Sequence, residues 1–238
     1  MTEATHKNKF RKIVSRRDRP AKPPLSREGI IDTALNLLSS GGLPGLSLRK
    51  IATALDTGPA SLYVYVANLE DLYRLMLDRA LGEVEIPEVG KGIWRERLSI
   101  ILTSYIKTLL SRPGLGRLAI TTMASGPNAM RLMEAILDLL REGGIDSPRL
   151  AMTAMDTLLL HFSAIAAEKD SWRDHGSPLG ALEQALKNLP PEDYPNIHSL
   201  SSELRENEFN GELTEEDSAS RLQLDVDIMI NGILNTLR

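Results

Sequence analysis

Residues 47–71, SLRKIATALDTGPASLYVYVANLED, decide the fold of this chain, because their pattern predicts two short helices joined by a tight turn. The apolar residues of the first helix recur at i, i+3, i+4 and i+7, as Leu48, Ile51, Ala52 and Leu55. Ser47 precedes this stripe and is expected to cap the helix. Gly58 permits a tight turn and Pro59 fixes φ for a first helical turn, so a second helix is expected from Pro59 to about Val66.

The second helix is expected to direct Leu62 and Val66 inward. Its outward positions are then Ala60, Ser61, Val64 and Tyr65. Two helices at this spacing, with glycine in the turn, form a helix-turn-helix, whose second helix lies in the major groove of DNA. Small residues allow a close approach to base edges, a serine hydroxyl bonds several bases, and valine contacts a thymine methyl. The outward surface of the second helix is therefore predicted to contact DNA bases, and we call it the reader.

The same stretch resembles the tetracycline-repressor (TetR) family of bacterial transcriptional regulators, through the patterns L-R-x-I-A-x-x-L and S-L-Y-x-Y-V-x-N-x-E-D-L, which start at Leu48 and Ser61. The resemblance implies that Tyr63 contacts a backbone phosphate. The predicted DNA contacts are Arg27, Ser47, Arg49, Lys50, Pro59, Ala60, Ser61, Tyr63, Val64 and Tyr65. Two positions depart from the family: Asp56 replaces a common glycine, and Leu69 replaces a lysine that grips phosphate. The first change is compatible with a turn, whereas the second removes a cation.

The composition limits the classes of function. The chain has 238 residues, of which 42% are hydrophobic and 25% are charged, and it contains no cysteine. This excludes disulfides, thiolate metal sites and thiol redox sensing, and a reducing cytoplasm is the expected location. The first 25 residues have no apolar segment, so no signal peptide is expected. An enzyme is not expected, because G-x-S-x-G, H-E-x-x-H and P-loop motifs are absent and the four histidines are scattered; no cofactor or metal is expected.

Charge is concentrated at the N-terminus. Residues 1–27 contain nine basic and two acidic residues, a net charge of +7, so the remainder of the chain carries −11. Residues 1–25 are therefore predicted to be a flexible basic arm, extended by its prolines when free. The arm is expected to supplement DNA binding through phosphates or the minor groove. The alternative is a solvated tail that only aids solubility.

The fold is predicted to be all-α with two domains. Residues 26–82 form a three-helix DNA-binding domain with a linking helix, and residues 83–238 form a helical ligand-binding and dimerisation domain. The first helix is expected at Ser26–Ser39 and the linking helix at Leu69–Gly82. The resemblance implies that the tilt of the linking helix sets the distance between the two readers of a dimer. Residues 83–92 contain proline and glycine and mark the predicted boundary.

The C-terminal domain is predicted to contain helices at 94–111, 115–124 and 147–170, a helix capped by Asn128, and a terminal helix at 215–237. The helix at 147–170 is apolar on all sides, but Asp156 and His161 interrupt it, so burial is expected rather than a membrane span. Together with the broad terminal helix it suits a four-helix homodimer interface. The predicted interface residues are Leu158, His161, Phe162, Ile165, Val226, Met229, Ile230 and Ile233.

The resemblance implies a pocket for a small-molecule effector among the C-terminal helices. The candidate pocket residues are Tyr105, Met123, Met133, Met155, Asp156 and Leu159; the alternative is that they are plain core. Tetracycline is not expected, because the metal-binding histidine of the founding repressor aligns with Ala119. The predicted function is a ligand-responsive regulator, with a repressor favoured, that binds a palindromic double-stranded operator. The alternatives are an activator of the same family and a dimeric binding protein without specific operator recognition.

Overall fold

The computed structural model describes residues 24–90, 92–176, 178–199 and 215–235. All regular elements in these ranges are helical, and no strand occurs among them, which confirms the all-α prediction. The elements are α1 (Arg27–Gly41), a 3₁₀ turn (Leu43–Gly45), α2 (Leu48–Ala54), α3 (Pro59–Leu62), α4 (Leu69–Leu81), α5 (Trp94–Leu110), α6 (Leu115–Thr121), α7 (Pro127–Glu142), α8 (Pro148–His175), α9 (Leu179–Lys187), α10 (which includes residues 195–199) and α11 (Glu215–Asn235). Most of the predicted arm, residues 1–23, lies outside the described residues.

The helices of the first domain begin where side chains satisfy their free N–H groups. The Gly29 N–H donates to Ser26 Oγ at 3.0 Å, and the Lys50 N–H donates to Ser47 Oγ at 3.2 Å. All inward positions predicted for α1 are buried, namely Ile30, Ile31, Ala34, Leu35 and Leu38. The local signals in the sequence therefore place α1 and α2 correctly, although α1 extends to Gly41.

The linking helix α4 is joined to α7 through one buried carboxylate. Asp78 on α4 is 8% exposed, and its Oδ1 accepts the Ala129 N–H at 2.9 Å while its Oδ2 accepts Asn128 Nδ2–H at 3.2 Å. These donors belong to the first turn of α7, where the helix dipole favours a negative charge. The prediction that Asn128 caps α7 is wrong, because α7 begins at Pro127 and the Asn128 side chain bonds Asp78 instead. A Cβ at Gly126 would overlap the Asp78 carboxyl group, so this junction requires glycine.

The segment after α4 is anchored to the second domain as well. Val84 is 2% exposed, and the Glu85 N–H donates to Ser104 Oγ on α5 at 2.8 Å. The Arg131 guanidinium on α7 donates to the carbonyls of Val84 at 3.2 Å and Gly82 at 3.5 Å. The predicted boundary region therefore begins with residues that share a core with both halves of the molecule.

Helix α8 lies at the centre of the second domain. Its stretch Pro148–Arg173 is long and apolar enough to cross a membrane by length and composition alone. It packs against α5, α6 and α7, however, and Leu158, Phe162 and Ala166 are completely buried. Burial inside the bundle therefore accounts for one face of the helix, whereas Met152 and Leu160 on the same helix are more than half exposed.

The contact between α6 and α8 depends on the absence of a side chain at Gly116. A Cβ at this position would overlap the backbone of Ala166 and Ala167 on α8. The two helices therefore approach backbone to backbone. This close contact fixes α6 against the central helix.

Helix α11 is fastened to α5 by polar contacts along one side. Arg95 donates to Asp227 at 3.2 Å and to Asn231 at 2.9 Å, and Ser99 donates to Gln223 at 3.0 Å. Val226 and Ile230 fill the space beneath these contacts. The terminal helix is thus part of the protomer core.

Asp170 on α8 is a second buried carboxylate, with 3% exposure. It lies near the N-terminus of α6, where the backbone N–H groups of Gly114 and Arg117 face it and Arg173 Nη1 is 3.6 Å from its Oδ1. Neither oxygen has a hydrogen bond of good geometry with the described residues. Burial raises the pKa of this carboxyl group, and the nearby donors and arginines oppose part of the increase.

We expect Gly116→Ala to lower the free energy of unfolding by about 1–3 kcal/mol, because the new methyl group forces α6 away from α8. Urea unfolding measures the loss. Gly180→Ala in α9 is the matched control, because no atom lies within 4 Å of a Cβ built there, and it should be neutral or stabilising. Wild-type stability in Gly116→Ala would contradict the backbone-to-backbone contact.

We expect Asp170→Asn to remove a pH dependence of stability. Because the raised pKa means that the folded protein holds this proton more tightly than the unfolded chain, wild type gains stability relative to the variant as the pH falls from neutral toward the ordinary value of 3.8. Urea unfolding of both proteins at neutral pH and at about pH 4.5 measures the change. Asp146→Asn, at an exposed position, is the control. A difference that is constant across this range would show that the carboxyl group is not destabilised by burial.

Candidate nucleic-acid interface

The turn between α2 and α3 is made by Asp56 rather than by the glycine. Asp56 has φ of 49°, the left-handed conformation, whereas Gly58 has φ of −82°. Aspartate adopts this conformation more readily than most residues, because its short side chain bonds locally. The Thr57 N–H then donates to the Ala52 carbonyl at 2.9 Å and closes the end of α2. The substitution at the family's usual glycine position therefore leaves the turn intact.

The second helix of the motif is shorter than predicted. It ends at Leu62 rather than near Val66, and the chain continues as turns in which the N–H groups of Tyr65 and Val66 both donate to the Leu62 carbonyl. Leu62 is fully buried and Val66 is 1% exposed, as predicted. These two residues hold the short helix on the core.

The outward surface consists of residues 59–61, which precede Leu62, and of Tyr63 and Val64, which lie between Leu62 and Val66. Pro59, Ala60 and Ser61 are exposed at the start of α3. Tyr63 is 58% exposed and Val64 is 80% exposed. The structure thus presents this predicted set together, on one short segment with nothing of the described chain covering it.

Tyr65 is placed differently from the rest. Its ring packs against the core, and its hydroxyl donates to the Leu25 carbonyl at 2.7 Å. This contact ties the start of α1 to the end of the motif. The geometry corrects the prediction for Tyr65, because its polar atom is already used inside the protein.

The remaining predicted DNA contacts lie on α1 and at the start of α2. Arg49 and Lys50 are exposed on the first turn of α2, and Arg27 is exposed at the start of α1. The Ser47 oxygen serves as a helix cap, but its hydroxyl hydrogen is not needed for that bond. Leu69, at the usual lysine position, is half-buried and packs against the core.

The predicted effector residues do not form one site. Tyr105 and Met155 are buried in the core, and Met133 and Leu159 are half-buried. Met123 is 84% exposed and Asp156 is also exposed, so both are corrections to the predicted pocket. Helical spacing does not indicate which of these residues share a cavity, and Met123 lies after the end of α6 at Thr121.

Tyr105 has a structural hydrogen bond. Its hydroxyl lies 2.8 Å from Ser163 Oγ, which itself donates to the Leu159 carbonyl at 2.6 Å. Either hydroxyl could be the donor of the Tyr105–Ser163 bond. Burial raises the pKa of Tyr105, and the bond to Ser163 opposes part of the increase.

The predicted dimer interface also requires correction. Leu158, Phe162, Val226 and Ile230 are 0–2% exposed in the isolated protomer, so they belong to its own core. His161, Ile165, Met229 and Ile233 are half-buried. The apolar residues that α8 and α11 leave exposed are Met152, Leu160, Leu224 and Ile228, each more than half exposed. Four of the eight predicted residues are therefore core, whereas the half-buried four and the exposed set are available to a partner.

Two sequence profiles match the chain. Residues 30–76 match the bacterial regulatory proteins of the tetR family, and residues 86–237 match the tetracyclin repressor-like C-terminal domain. The HTH-type transcriptional repressor DrrR1 of Streptomyces coeruleorubidus is 35% identical over 136 residues, which are 57% of this chain and 50% of that protein. The match therefore spans half the length of that relative. An HTH-type transcriptional regulator of Saccharopolyspora erythraea is 30% identical over 178 residues, 74% of this chain and 75% of the relative.

The fold is similar to crystal structures of ActR from Streptomyces coelicolor. The apo form has a TM-score of 0.75 and 35% identity over 90% of this chain and 98% of that chain. Structures of ActR in complex with (S)-DNPA and with actinorhodin have the same TM-score, with 35% and 36% identity, over 90% of this chain and 99% of each.

We expect Tyr65→Phe to lower the free energy of unfolding by about 1 kcal/mol, because it removes the bond to the Leu25 carbonyl. Tyr63→Phe is the matched control and should stay within about 0.5 kcal/mol of wild type, because Tyr63 is exposed. Urea unfolding of the three proteins measures both values. Equal stability of Tyr65→Phe and wild type would contradict the structural role of this hydroxyl.

Proposed function

Because the chain belongs to the TetR family of bacterial regulatory proteins, we propose that it is a cytoplasmic transcriptional repressor that binds a palindromic operator as a homodimer and leaves it when a small molecule binds. Members of the family are DNA-binding regulators rather than enzymes. The observation that carries the proposal is the exposed reader surface of Pro59–Val64, held on the core by Leu62.

The reader enters the major groove with the start of α3. Ala60 and Ser61 bring the backbone close to the base edges, Ser61 bonds a base through its hydroxyl, and Val64 contacts a thymine methyl. Tyr63 extends from the same segment and bonds a phosphate through its hydroxyl. The phosphate bond sets the depth and register of the helix, whereas Ser61 and Val64 select the sequence.

Cations around the reader hold the phosphates. Arg49 and Lys50 on α2 and Arg27 on α1 are exposed, and they flank the reader along the chain. The arm adds further positive charge, since residues 1–25 contain eight basic and two acidic residues, a net charge of +6. This charge compensates for Leu69, where the family commonly has a lysine. The acidic remainder of the chain disfavours contact between DNA and the second domain.

A two-fold dimer presents two readers to the two halves of a palindrome. The exposed apolar residues Met152 and Leu160 on α8, with Leu224 and Ile228 on α11, supply a surface for a four-helix interface.

The response to a small molecule is proposed from two observations. ActR, which shares the fold and about a third of its residues with this chain, has been crystallised with (S)-DNPA and with actinorhodin. The linking helix α4 is bonded directly to α7 of the second domain through Asp78. A ligand that favours one position of α7 therefore favours one position of α4 and of the reader. Repression is favoured over activation, because DrrR1 is a repressor.

We expect DNA selected from a random pool by the purified protein to contain a palindrome. Tyr63→Ala should then weaken binding to that palindrome about tenfold, because one phosphate bond is lost. Fluorescence anisotropy measures the dissociation constant at fixed salt. Tyr194→Ala, at an exposed tyrosine outside the first domain, is the matched control and should bind as wild type does. Binding that depends on salt but selects no sequence would instead favour a dimeric protein without operator recognition.

A further inference from the structure

A cleft of about 510 Å³ opens between α5, α7 and residues 86–89, which follow the linking helix. Its floor is apolar and includes Ile101 and Leu139, which are 0% and 2% exposed, together with Ile86 and Ala135. The volume lies within the range of pockets that bind small organic molecules. None of the effector residues predicted from the sequence lines this cleft.

A buried arginine lies in the wall of the cleft. Arg97 on α5 is 7% exposed, and its Nη1 donates to Glu142 Oε2 on α7 at 2.9 Å. Its Nε is buried and has no hydrogen-bond partner among the described residues. A buried guanidinium with an unused donor is costly unless an acceptor completes it. Arg97 is one of the residues that line the cleft.

The Glu142 carboxylate can be replaced by another carboxylate, whereas the Arg97 side chain is held in place by burial. Glu142 is the last residue of α7, and its side chain is 49% exposed, so it can turn into solvent with little loss of packing. A carboxylate from a ligand can then take its place and pair with the planar guanidinium through two parallel bonds. This exchange keeps the charge of Arg97 neutralised.

The rim of the cleft restricts the ligand further. Glu134 and Asp138 are exposed on α7 beside Glu142, and Asp138 pairs with Arg141 at 3.3 Å. These three carboxylates outnumber the two arginines of the lining, Arg97 and Arg131, so the cleft disfavours multiply charged anions such as phosphates. An apolar molecule with a single carboxylate satisfies both the floor and Arg97 at a small electrostatic cost. We propose that this cleft is the effector site, and that it takes an apolar carboxylic acid whose carboxylate binds Arg97. The assignment as an effector site rests on the proposed function.

The same cleft is connected to the linking helix. Arg131 lines it and donates to the carbonyls of Val84 and Gly82, immediately after α4. Ile86 and Pro87 form part of its wall two residues farther on. A ligand on the apolar floor therefore contacts the segment that ends α4, and its binding energy acts on the position of that helix.

The experiment uses the full chain without DNA and titrates it with naproxen, a naphthyl carboxylic acid, and with the neutral primary amide of naproxen. Isothermal titration calorimetry should show saturable binding of naproxen with a dissociation constant below about 1 mM. The amide should bind at least about tenfold more weakly, because it lacks the charge that pairs with Arg97. Absence of saturable naproxen binding, or equal binding of the two compounds, overturns the proposal.

Variants of the ion pair separate the site from other apolar surfaces. Arg97→Gln should weaken naproxen binding about tenfold or more. Glu142→Gln should strengthen it, because it removes the competing carboxylate and leaves Arg97 in place; a folding defect cannot produce this gain. Arg95→Gln is the matched control, because Arg95 lies on the same helix but bonds α11 outside the cleft. Naproxen affinity that is unchanged in both Arg97→Gln and Glu142→Gln overturns the assignment.

Operator binding separates failure of the site from failure of the proposed function. In wild type naproxen should weaken binding to the selected palindrome, and in Arg97→Gln it should not. A protein that binds naproxen through Arg97 but selects no DNA sequence overturns the proposed function and leaves the carboxylate site standing. A protein that selects a palindrome but does not bind naproxen overturns only the site, and naproxen binding without loss of operator affinity overturns its role as the effector site.

Discussion

The buried carboxylate of Asp78 holds the two halves of the molecule in one relative position. It accepts the backbone N–H of Ala129 and the side-chain amide of Asn128, so a helix of the first domain is bonded to the first turn of a helix in the second. A buried charge is tolerated only where such donors surround it. Gly126 is required beside it, because any side chain would occupy the space of the carboxylate. The orientation of the reader therefore depends on a junction about fifteen residues away along the chain.

The first domain was predictable because its determinants are local. Serine caps, the apolar stripe of α1 and the anchors Leu62 and Val66 are all set by residues within one or two helical turns. The details that escaped prediction depend on particular atoms. The positive φ falls on Asp56 rather than on glycine, and the hydroxyl of Tyr65 finds an acceptor in Leu25, 40 residues earlier. Pattern alone does not reveal a partner at that distance.

The helices of the second domain were predicted from the sequence, but the residues that these helices leave exposed were not. An apolar stripe that extends over more than one face of a helix indicates that other protein surfaces cover two of its sides. The pattern does not show which of these sides packs against its own protomer. Leu158 and Val226 proved to be core, and the exposed apolar residues lie beside them. One feature of the sequence indicates the cleft. Arg97 lies three residues after Trp94 and four before Ile101, at an inward position of an otherwise apolar stripe. A charge at such a position needs a partner, and that partner identifies a polar site.

Helix α4 has 13 residues and is about 20 Å long. At its first turn Asn68 accepts the Asp71 N–H at 2.8 Å while Asp71 accepts the Ala67 N–H at 2.9 Å, and Asp78 is fixed near its other end. Because hydrogen bonds hold α4 near both of its ends, a tilt at one end of the helix is passed to the other end instead of being lost by unwinding of a terminal turn. In the proposed homodimer, the same rigidity is expected to limit how far the two readers can adjust to operators with altered half-site spacing. A more pliable α4 would then weaken both the choice of DNA and the response to a ligand.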